Sequence, residues 1–351
     1  MINVCLMRVP CRLQLIRFAR GCVLATLVIG AGASGCNKSS SSVSWTAKDL
    51  GPGRCVALNN HAQVIGYDDS GSSFVVSQGT AETNLGTAPD GSIAVGLAIA
   101  DNGDVVGYIE DNTGRHAAQY SAGTWSPIAG LDGTWSVASS IGPNHEIVGM
   151  AGMGMTGALQ SFLLQGGKPA SLALPADQSS AAYVAGASGH IIGILETPDS
   201  VTHAFSITGS QMKDLGTLGG ENSTPYAVNS RGDVVGAAET SSGEGHAFFS
   251  PQGGALVDLG LPAGAVSSDA RGIDEHGRIA GNVDYGKGDT RPVVFKVGQP
   301  PVDLMPVDDA KTPFVSAHIS AMSADGHIVG WGVPANGDQN PIHCILWSPG
   351  G

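Results

Sequence analysis

The alternation of apolar and polar residues repeats along the chain in one nine-residue pattern. The pattern is an apolar residue, a polar stretch, two apolar residues and a glycine, and the first copy, LNNHAQVIG, runs from Leu58 to Gly66. Seven copies occur, and they end at Gly66, Gly107, Gly149, Gly193, Gly236, Gly281 and Gly330. The steps between these glycines are 41, 42, 44, 43, 45 and 49 residues. This period predicts the blades of a β-propeller, because common helical repeats are shorter, at ~33 to 34 residues.

Each copy divides into four short strands. In the fifth copy, apolar runs lie at 225–229, 234–239, 246–249 and 255–260, and turns or loops separate them. A tight first hairpin needs a positive φ, which glycine adopts at little cost. Five copies have glycine in that turn: Gly103, Gly189, Gly232, Gly277 and Gly326. No stretch has a sustained 3.6-residue apolar stripe, so we expect almost no helix. The pattern predicts an all-β, seven-bladed propeller of four-stranded antiparallel blades.

The two ends of the propeller region, residues 45–351, complement each other. The last copy ends with WSPGG at 347–351 and lacks a fourth strand, whereas WTAKDLG at 45–51 resembles a fourth strand that lacks the three before it. We therefore predict that the N-terminal strand closes the last blade. Such closure removes open sheet edges, which otherwise invite aggregation.

The third and fourth strands carry a family resemblance. The sequence HAF at 203–205 and 246–248 is followed by DLG at 214–216 and 258–260, and TLGG follows at 217–220. These motifs resemble the HAF-repeat family of extracellular bacterial proteins, and the resemblance covers the whole propeller region, more weakly outside copies four and five. It implies a repeat architecture and an exported location, and it implies no particular reaction.

The first 35 residues differ from the repeats. They contain four arginines and no acidic residue, followed by an apolar run of about ten residues, which is typical of a secretory signal. Residues Ala33–Cys36 (ASGC) resemble the lipobox of bacterial lipoproteins, although Ala33 stands where leucine is usual. The resemblance implies that Cys36 is lipidated and that residues 36–44 form a serine-rich tether. Because Asn37 is not the aspartate typical of inner-membrane retention, it also implies the outer membrane, on its periplasmic or cell-surface side. An ordinary cleaved signal with an incidental cysteine is the alternative.

Charge limits the choice of partners. The formal net charge is −13, and removing the signal, which holds 4 of the 17 basic and none of the 30 acidic residues, leaves −17 (13 minus 30). An acidic chain repels nucleic acid and anionic lipid surfaces. We expect no nucleic-acid partner, contact with the membrane only through the lipid anchor, and a monomer.

Two cysteines remain in the propeller region. Cys55 follows the N-terminal closing strand, and Cys344 lies on the predicted third strand of the last blade. In an oxidising compartment a disulfide between them would restrict the unfolded chain. The alternative is that both are small buried residues in place of alanine, as Ala204 and Ala247 are at the position of Cys344.

Strand order predicts that the connections after strands two and four share one face, where they vary in length and sequence, and ligands commonly bind at such variable connections. Six of the seven predicted interblade links contain an acid and the seventh contains Arg54; the acids are Asp90, Asp132, Asp177, Glu221, Asp269 and Asp308. If the acids converge at the channel mouth they could hold Ca²⁺ or attract a cation, whereas loop acids are more often simply solvated.

Histidines recur near the start of the third strand, at His116, His203, His246 and His343. One per blade indicates a repeated structural hydrogen bond rather than a metal site. The sequence lacks the nucleophile-elbow, zinc-protease, phosphate-loop and dinucleotide-binding motifs. We therefore expect no metal, no cofactor and no catalytic residue.

Three functions are compatible with these features. The first is a non-catalytic binding propeller, anchored at the outer membrane, whose variable face contacts a protein or a glycan. The second is a glycosidase or lyase with carboxylates at the channel mouth and sugar platforms chosen from Trp125, Trp135, Trp331 and Phe314. The third is an accessory protein of envelope assembly that pairs a blade edge with a client strand. Fold alone does not choose among them.

Overall fold

The structure is a computed structural model that describes residues 44–350, except 69, 78–81, 130–134, 154–157, 171, 173, 176–177, 306–313 and 336–341. The predicted signal (1–35), Cys36 and the tether up to residue 43 lie outside the described residues. So do three of the candidate acids, Asp132, Asp177 and Asp308.

The described residues form seven separate four-stranded antiparallel sheets, each a blade, and these sheets confirm the predicted seven-bladed β-propeller. The innermost strands are β2 (Arg54–Leu58), β6 (Ile93–Ile99), β10 (Ser136–Ile141), β14 (Ser180–Ala185), β18 (Gly219–Val228), β22 (Ser267–Ile273) and β26 (Phe314–Met322). The second strands are β3 (Val64–Tyr67), β7 (Val105–Asp111), β11 (Ile147–Met153), β15 (His190–Glu196), β19 (Val234–Thr240), β23 (Ile279–Asp284) and β27 (Ile328–Pro334).

The third strands are β4 (Ser73–Val76), β8 (Gly114–Ser121), β12 (Ala158–Gln165), β16 (Thr202–Thr208), β20 (Gly245–Ser250), β24 (Thr290–Lys296) and β28 (His343–Pro349). The outer strands are β5 (Thr83–Asn84), β9 (Thr124–Pro127), β13 (Lys168–Ala170), β17 (Gln211–Gly216), β21 (Val257–Asp258), β25 (Gln299–Asp303) and β1 (Trp45–Pro52). The only helical segments of the described chain are two short 3₁₀ turns, Ala187–Gly189 and Pro251–Gly253.

The ring closes as predicted. Strand β1 pairs antiparallel with β28, in a register that begins at Trp45 opposite Pro349, so the two ends of the propeller region share the seventh blade. The hairpin tips also connect around the ring, because the Ala324 N–H donates to Asn60 Oδ1 (3.1 Å) across the junction of the seventh and first blades. Cys55 and Cys344 form a disulfide at the same junction, with their Cα atoms 5.2 Å apart.

The core consists of apolar layers between neighbouring blades. The two apolar residues before each repeat glycine supply much of it; Val234 and Val235, for example, are completely buried. In the fifth blade the fully buried Phe248 ring packs directly against Gly236, and the carbonyl of Thr224 approaches from the inner strand. The repeat glycine is therefore needed because a side chain would collide with both the ring and the backbone.

The HAF and DLG motifs hold the third and fourth strands together. In each motif pair the histidine Nδ1 contacts the aspartate Oδ2, and the other carboxylate oxygen accepts a backbone N–H two residues later, as at Gly216 (2.8 Å). The histidine pairs are His203–Asp214 (2.9 Å), His246–Asp258 (3.0 Å) and His343–Asp49 (2.8 Å). His116 instead contacts the Thr113 hydroxyl (2.9 Å). These contacts confirm the predicted repeated hydrogen bond for His203, His246 and His343, whereas His116 does not share it, because β9 has no aspartate.

Candidate functional site

A β-bulge recurs at one position of every inner strand. The pairing register skips one residue there, ten positions before each repeat glycine. The skipped residues are Val56, Leu97, Ser139, Tyr183, Tyr226, Arg271 and Ser320. A bulge redirects a side chain and is conserved in position where that direction matters. The bulge recurs in every blade, whereas the residue at it ranges from serine to tyrosine and arginine.

The bulge side chains of three blades meet in a cavity of about 490 Å³. The cavity is lined by inner strands of the first, sixth and seventh blades and by the adjoining second strands, at the end of the channel that carries the variable connections. Its lining residues include Val56, Ser267, Asp269, Arg271, Asn282, Asp284, Thr290, His318, Ser320 and Trp331. We call it the channel-mouth cavity.

Arg271 is the charged centre of the channel-mouth cavity. A terminal guanidinium nitrogen contacts Asp269 Oδ2 at 2.9 Å, and the guanidinium carbon lies 4.0 Å from the centre of the Tyr226 ring. Burial acts to lower the pKa of Arg271, but the hydrogen bond and charge of Asp269 outweigh it and raise that pKa. The Nε atom of Arg271 is buried and has no hydrogen-bond partner among the described residues. The cation is thus partly desolvated and only partly satisfied by its neighbours.

Asp269 is held from two sides. Its Oδ1 accepts a hydrogen bond from Asn282 Nδ2 (2.9 Å), and Asn282 also bonds the backbone of Ile319 in the next blade through both amide atoms. This amide therefore fixes the sixth blade to the seventh beside the cavity. Asp284 also lines the cavity, and its carboxylate accepts the Gly286 N–H at 2.7 Å.

An aromatic cluster forms the opposite wall. The His318 ring stacks on Trp331 with ring centres 4.0 Å apart and an angle of 17° between planes, and the Arg54 guanidinium carbon lies 4.4 Å from the same indole. Burial, aided by the positive charges of Arg271 and Arg54, lowers the pKa of His318, while Asp269 and Asp284 oppose the shift. His318 is therefore neutral at neutral pH, and its protonation would add a positive charge inside the cavity.

The lowered pKa of His318 predicts a loss of stability in acid. Because the unfolded chain binds a proton at this histidine more readily than the native state does, the free energy of unfolding should fall as the pH drops below the ordinary histidine pKa of about 6.5. Urea denaturation should show that the free energy of unfolding falls less between about pH 8 and pH 5 for His318→Gln than for the wild type. The control is His145→Asn, on an exposed hairpin tip, which should behave as the wild type. Equal falls for all three proteins would contradict the prediction.

The interblade-link assignment is wrong for three residues. Arg54, Glu221 and Asp269 belong to the inner strands β2, β18 and β22. Inner strands face the channel on one side, so they alternate polar with apolar residues and are easily taken for loops. Glu221 is exposed and does not line the cavity, whereas Asp269 does.

The remaining described acid, Asp90, lies in an exposed turn. It accepts the Ser92 N–H (2.9 Å), and this backbone hydrogen bond is the main reason why the pKa of Asp90 is lowered. Between residues 44 and 350, with the gaps given above, no three histidine, cysteine or acidic side chains form a group suited to a metal ion.

The four aromatic residues considered as sugar platforms occupy different environments. Trp125 and Phe314 are buried, at 1% and 6% exposure, and cannot present a face to a ligand. Trp135 lies between the second and third blades, bridged to Arg115. Trp331 alone borders the channel-mouth cavity, where His318 and Arg54 already contact its ring.

The opposite mouth of the channel is more uniform. Hairpin tips from all seven blades surround a depression of about 550 Å³ there, lined by residues such as Asn60, Asn102, His145, Ser230 and Ala324. Backbone and short polar side chains link neighbouring tips, as in the hydrogen bond of the Asn60 N–H with Asp101 (2.9 Å). Charged residues take part as well, since Arg231 donates to the Glu275 carbonyl and Arg278 to the Asp325 carbonyl (3.1 Å), so the side chains of this mouth are engaged in joining neighbouring blades.

Arg271 and His318 escaped sequence reasoning as site residues. They stand ten and twelve residues before the repeat glycine, and the equivalents in the second and third blades are apolar or small: Leu97 and Ser139 for Arg271, Val95 and Val137 for His318. These residues differ in charge or polarity from most of their equivalents in the other copies. That difference becomes visible only when all seven copies are aligned on their repeat glycines.

Comparison with known proteins supports the fold. No family model and no curated protein matches the sequence. The structure is similar to one of two prolyl endopeptidases studied for inter-domain dynamics (TM-score 0.54, 10% identity, 86% of this chain and 50% of theirs). It is also similar to a puromycin-hydrolysing peptidase of Mycobacterium tuberculosis (0.51, 14%, 87% and 51%). A third similar structure is a putative TolB of Agrobacterium tumefaciens (0.46, 10%, 60% and 81%).

This chain spans about half the length of the two peptidases. Identities this low show a shared propeller architecture and nothing about activity. In the part of the chain that the structure describes, no helix is long and apolar enough to cross a membrane.

Proposed function

We propose that the protein is an exported, non-catalytic binding propeller, anchored at the outer membrane through Cys36, whose variable face binds a protein or a glycan. The observation that carries the binding role is the channel-mouth cavity. Charged and aromatic side chains from three blades converge there, although the same positions elsewhere in the ring are largely apolar or small. A concave site with a few directed polar groups on a rigid scaffold is the usual form of a binding site.

A blocking variant tests the cavity independently of the ligand's chemistry. Ser320→Trp would fill the cavity from the bulge of β26, and Asn102→Trp would place the same side chain at the opposite mouth. Crosslinking of the anchored protein in its native envelope, followed by pull-down, should capture a partner with the wild type and with Asn102→Trp. Ser320→Trp should lose most of the capture. Equal capture by both variants would contradict the role assigned to the cavity.

The anchor is supported by the sequence of residues 1–36 and is tested separately. Cys36→Ser should prevent incorporation of labelled fatty acid and release the protein from the outer-membrane fraction, because a lipid-anchored protein depends on its acyl chains for membrane affinity. Ser39→Ala is the matched control, since it changes a neighbouring residue of the tether and leaves both the lipobox and the Cys55–Cys344 disulfide intact. Membrane retention of Cys36→Ser would contradict lipidation at this residue.

An enzyme is the second candidate, because Asp269 and Asp284 both line the cavity next to His318. Glycosidases use two carboxylates of different roles. In the structure, however, Asp269 is engaged by Arg271 and Asn282, and Asp284 by the Gly286 N–H. Turnover of an oligosaccharide that is lost in Asp284→Asn would favour catalysis over binding.

The blade edges do not favour the assembly function. Outer strands β5 and β21 are two residues long, and β25 contains Pro300 and Pro301. Short edges and proline discourage pairing with another strand.

A further inference from the structure

Arg54 differs from every other arginine of the described chain. Arg115, Arg231, Arg271, Arg278 and Arg291 each form an ion pair with a carboxylate, whereas Arg54 forms none among the described residues. Its charge instead lies over Trp331 at the edge of the channel-mouth cavity. In a chain with 30 acids and 17 bases, a half-buried arginine without an acidic partner leaves capacity for an external anion.

Arg271 supplies a second incompletely satisfied cation, and both arginines lie near enough to His318 to contribute to lowering its pKa. Asp269 takes one terminal nitrogen of Arg271, and Nε is buried without a partner among the described residues. Arginine binds carboxylates through parallel N–H donors, and such charge-assisted bonds are strongest where water is excluded. A carboxylate entering beside these two arginines would give Arg54 the acidic partner that it lacks among the described residues and would give Arg271 a second one.

The surroundings distinguish a peptide from a sugar. Sugar sites need a free aromatic face, but the Trp331 ring is contacted by His318 and Arg54, and the Tyr226 ring by Arg271. Three exposed apolar side chains, Ile93, Val266 and Val315, lie at the beginnings of inner strands on the same face, with exposures of 58%, 53% and 59%. Val266 directly precedes Ser267 of the cavity wall. Val266 beside the cavity wall, together with the two arginines, is complementary to a chain end with apolar side chains and a terminal negative charge.

We propose that the channel-mouth cavity captures the free C-terminal carboxylate of an apolar or basic peptide segment, between Arg54 and Arg271. This inference rests on the binding function proposed above and names the chemistry of its ligand. Capture of a terminal carboxylate by convergent donors is an established mode of peptide recognition. The acidic surface as a whole would attract a basic segment, while the two arginines select its end.

The test compares two pools of fluorescent hexapeptides that differ only at the C-terminus. Both have randomised apolar and basic positions; one pool ends in the free acid and the other in the amide. Fluorescence anisotropy with the full-length protein in detergent should show the acid pool binding about tenfold to a hundredfold more tightly, the effect of losing a charged hydrogen-bond partner.

Arg54→Gln should remove most of the difference in affinity between the acid pool and the amide pool. Because Arg54 has no ion pair among the described residues, this substitution leaves no described carboxylate unpaired. Arg271→Gln should do the same, and the double variant Arg271→Gln with Asp269→Asn restores charge balance if the single variant is unstable. The matched control is Arg115→Gln, because Arg115 also lies over a tyrosine ring, Tyr108, and pairs with Glu110. It is outside the cavity, so it should keep the full preference for the acid.

Equal affinity for acid and amide, or a preference that survives Arg54→Gln and Arg271→Gln, overturns the peptide proposal. Binding of uronate oligosaccharides with no binding of either pool also overturns it, but leaves the binding function and the cavity in place. A different result would contradict the binding function itself: Ser320→Trp would capture the partner as well as the wild type does.

Discussion

Gly236→Ala is expected to destabilise the propeller by about 3 kcal/mol, an unusually large effect for adding one methyl group. A Cβ atom at this position would lie 2.1 Å from the Thr224 carbonyl oxygen and 2.7 Å from the Phe248 ring. Both neighbours are fixed, since Thr224 pairs within the inner part of the blade and Phe248 is completely buried. The added methyl group can therefore be accommodated only if the strands move apart. Urea denaturation should show a lower midpoint with an unchanged slope.

The same blade provides the control. A Cβ atom at Gly245 would meet only the Ser267 side chain, at 3.9 Å, and its backbone lies outside the left-handed region. Gly245→Ala should change stability by no more than about 0.5 kcal/mol, because alanine fits an extended strand and reduces the entropy of the unfolded chain. Similar midpoints for the two variants would show that close packing against the third strand is not what the repeat glycine provides.

Removal of the disulfide should cost about 2–5 kcal/mol. Cys55 and Cys344 are separated by 289 positions, so the bond restricts almost the whole propeller in its unfolded state. The double variant Cys55→Ala with Cys344→Ala should melt at a lower temperature than the wild type. A reducing agent should bring the wild type to the same temperature and leave the variant unchanged. A wild type insensitive to reductant would contradict the prediction.

The disulfide also borders the candidate site. Cys55 follows Arg54 in β2, and Cys344 pairs directly with Trp331 between β28 and β27. The bond therefore helps to hold the Arg54 guanidinium over the indole ring. The double alanine variant should show altered tryptophan fluorescence and weaker binding at the channel-mouth cavity, in addition to its lower stability.

The fold could be predicted because each blade repeats its packing requirements. The glycine at the end of the pattern avoids the same steric clash in different blades. At Gly149 and at Gly236, a Cβ atom would collide with both a phenylalanine ring and an inner-strand carbonyl. The aspartate of the DLG motif and the histidine of the HAF motif recur because the same side-chain contact joins the third and fourth strands. Local sequence thus reports contacts made within one blade and its neighbour.

The candidate site could not be predicted in the same way. Arg54 and His318 are 264 positions apart and meet at Trp331 only because the ring closes. Closure was predictable from the complementary chain ends, but the direction of a bulged side chain was not. Asp269 was predicted to lie in a loop because its neighbours in the sequence are polar, although they belong to the inner strand β22. The partner of each charge depends on side-chain geometry across three blades, which no single repeat contains.

Peptide mapping of the unreduced protein tests ring closure, on which both the fold and the site depend. Trypsin cleaves after Arg54, Arg115 and Lys311, so Cys55 and Cys344 fall in the peptides 55–115 and 312–351. If the first and seventh blades adjoin as described, these two peptides should appear as one linked species that separates on reduction. Two separate peptides, each with an alkylated thiol, would contradict the disulfide that joins the first and seventh blades beside the channel-mouth cavity.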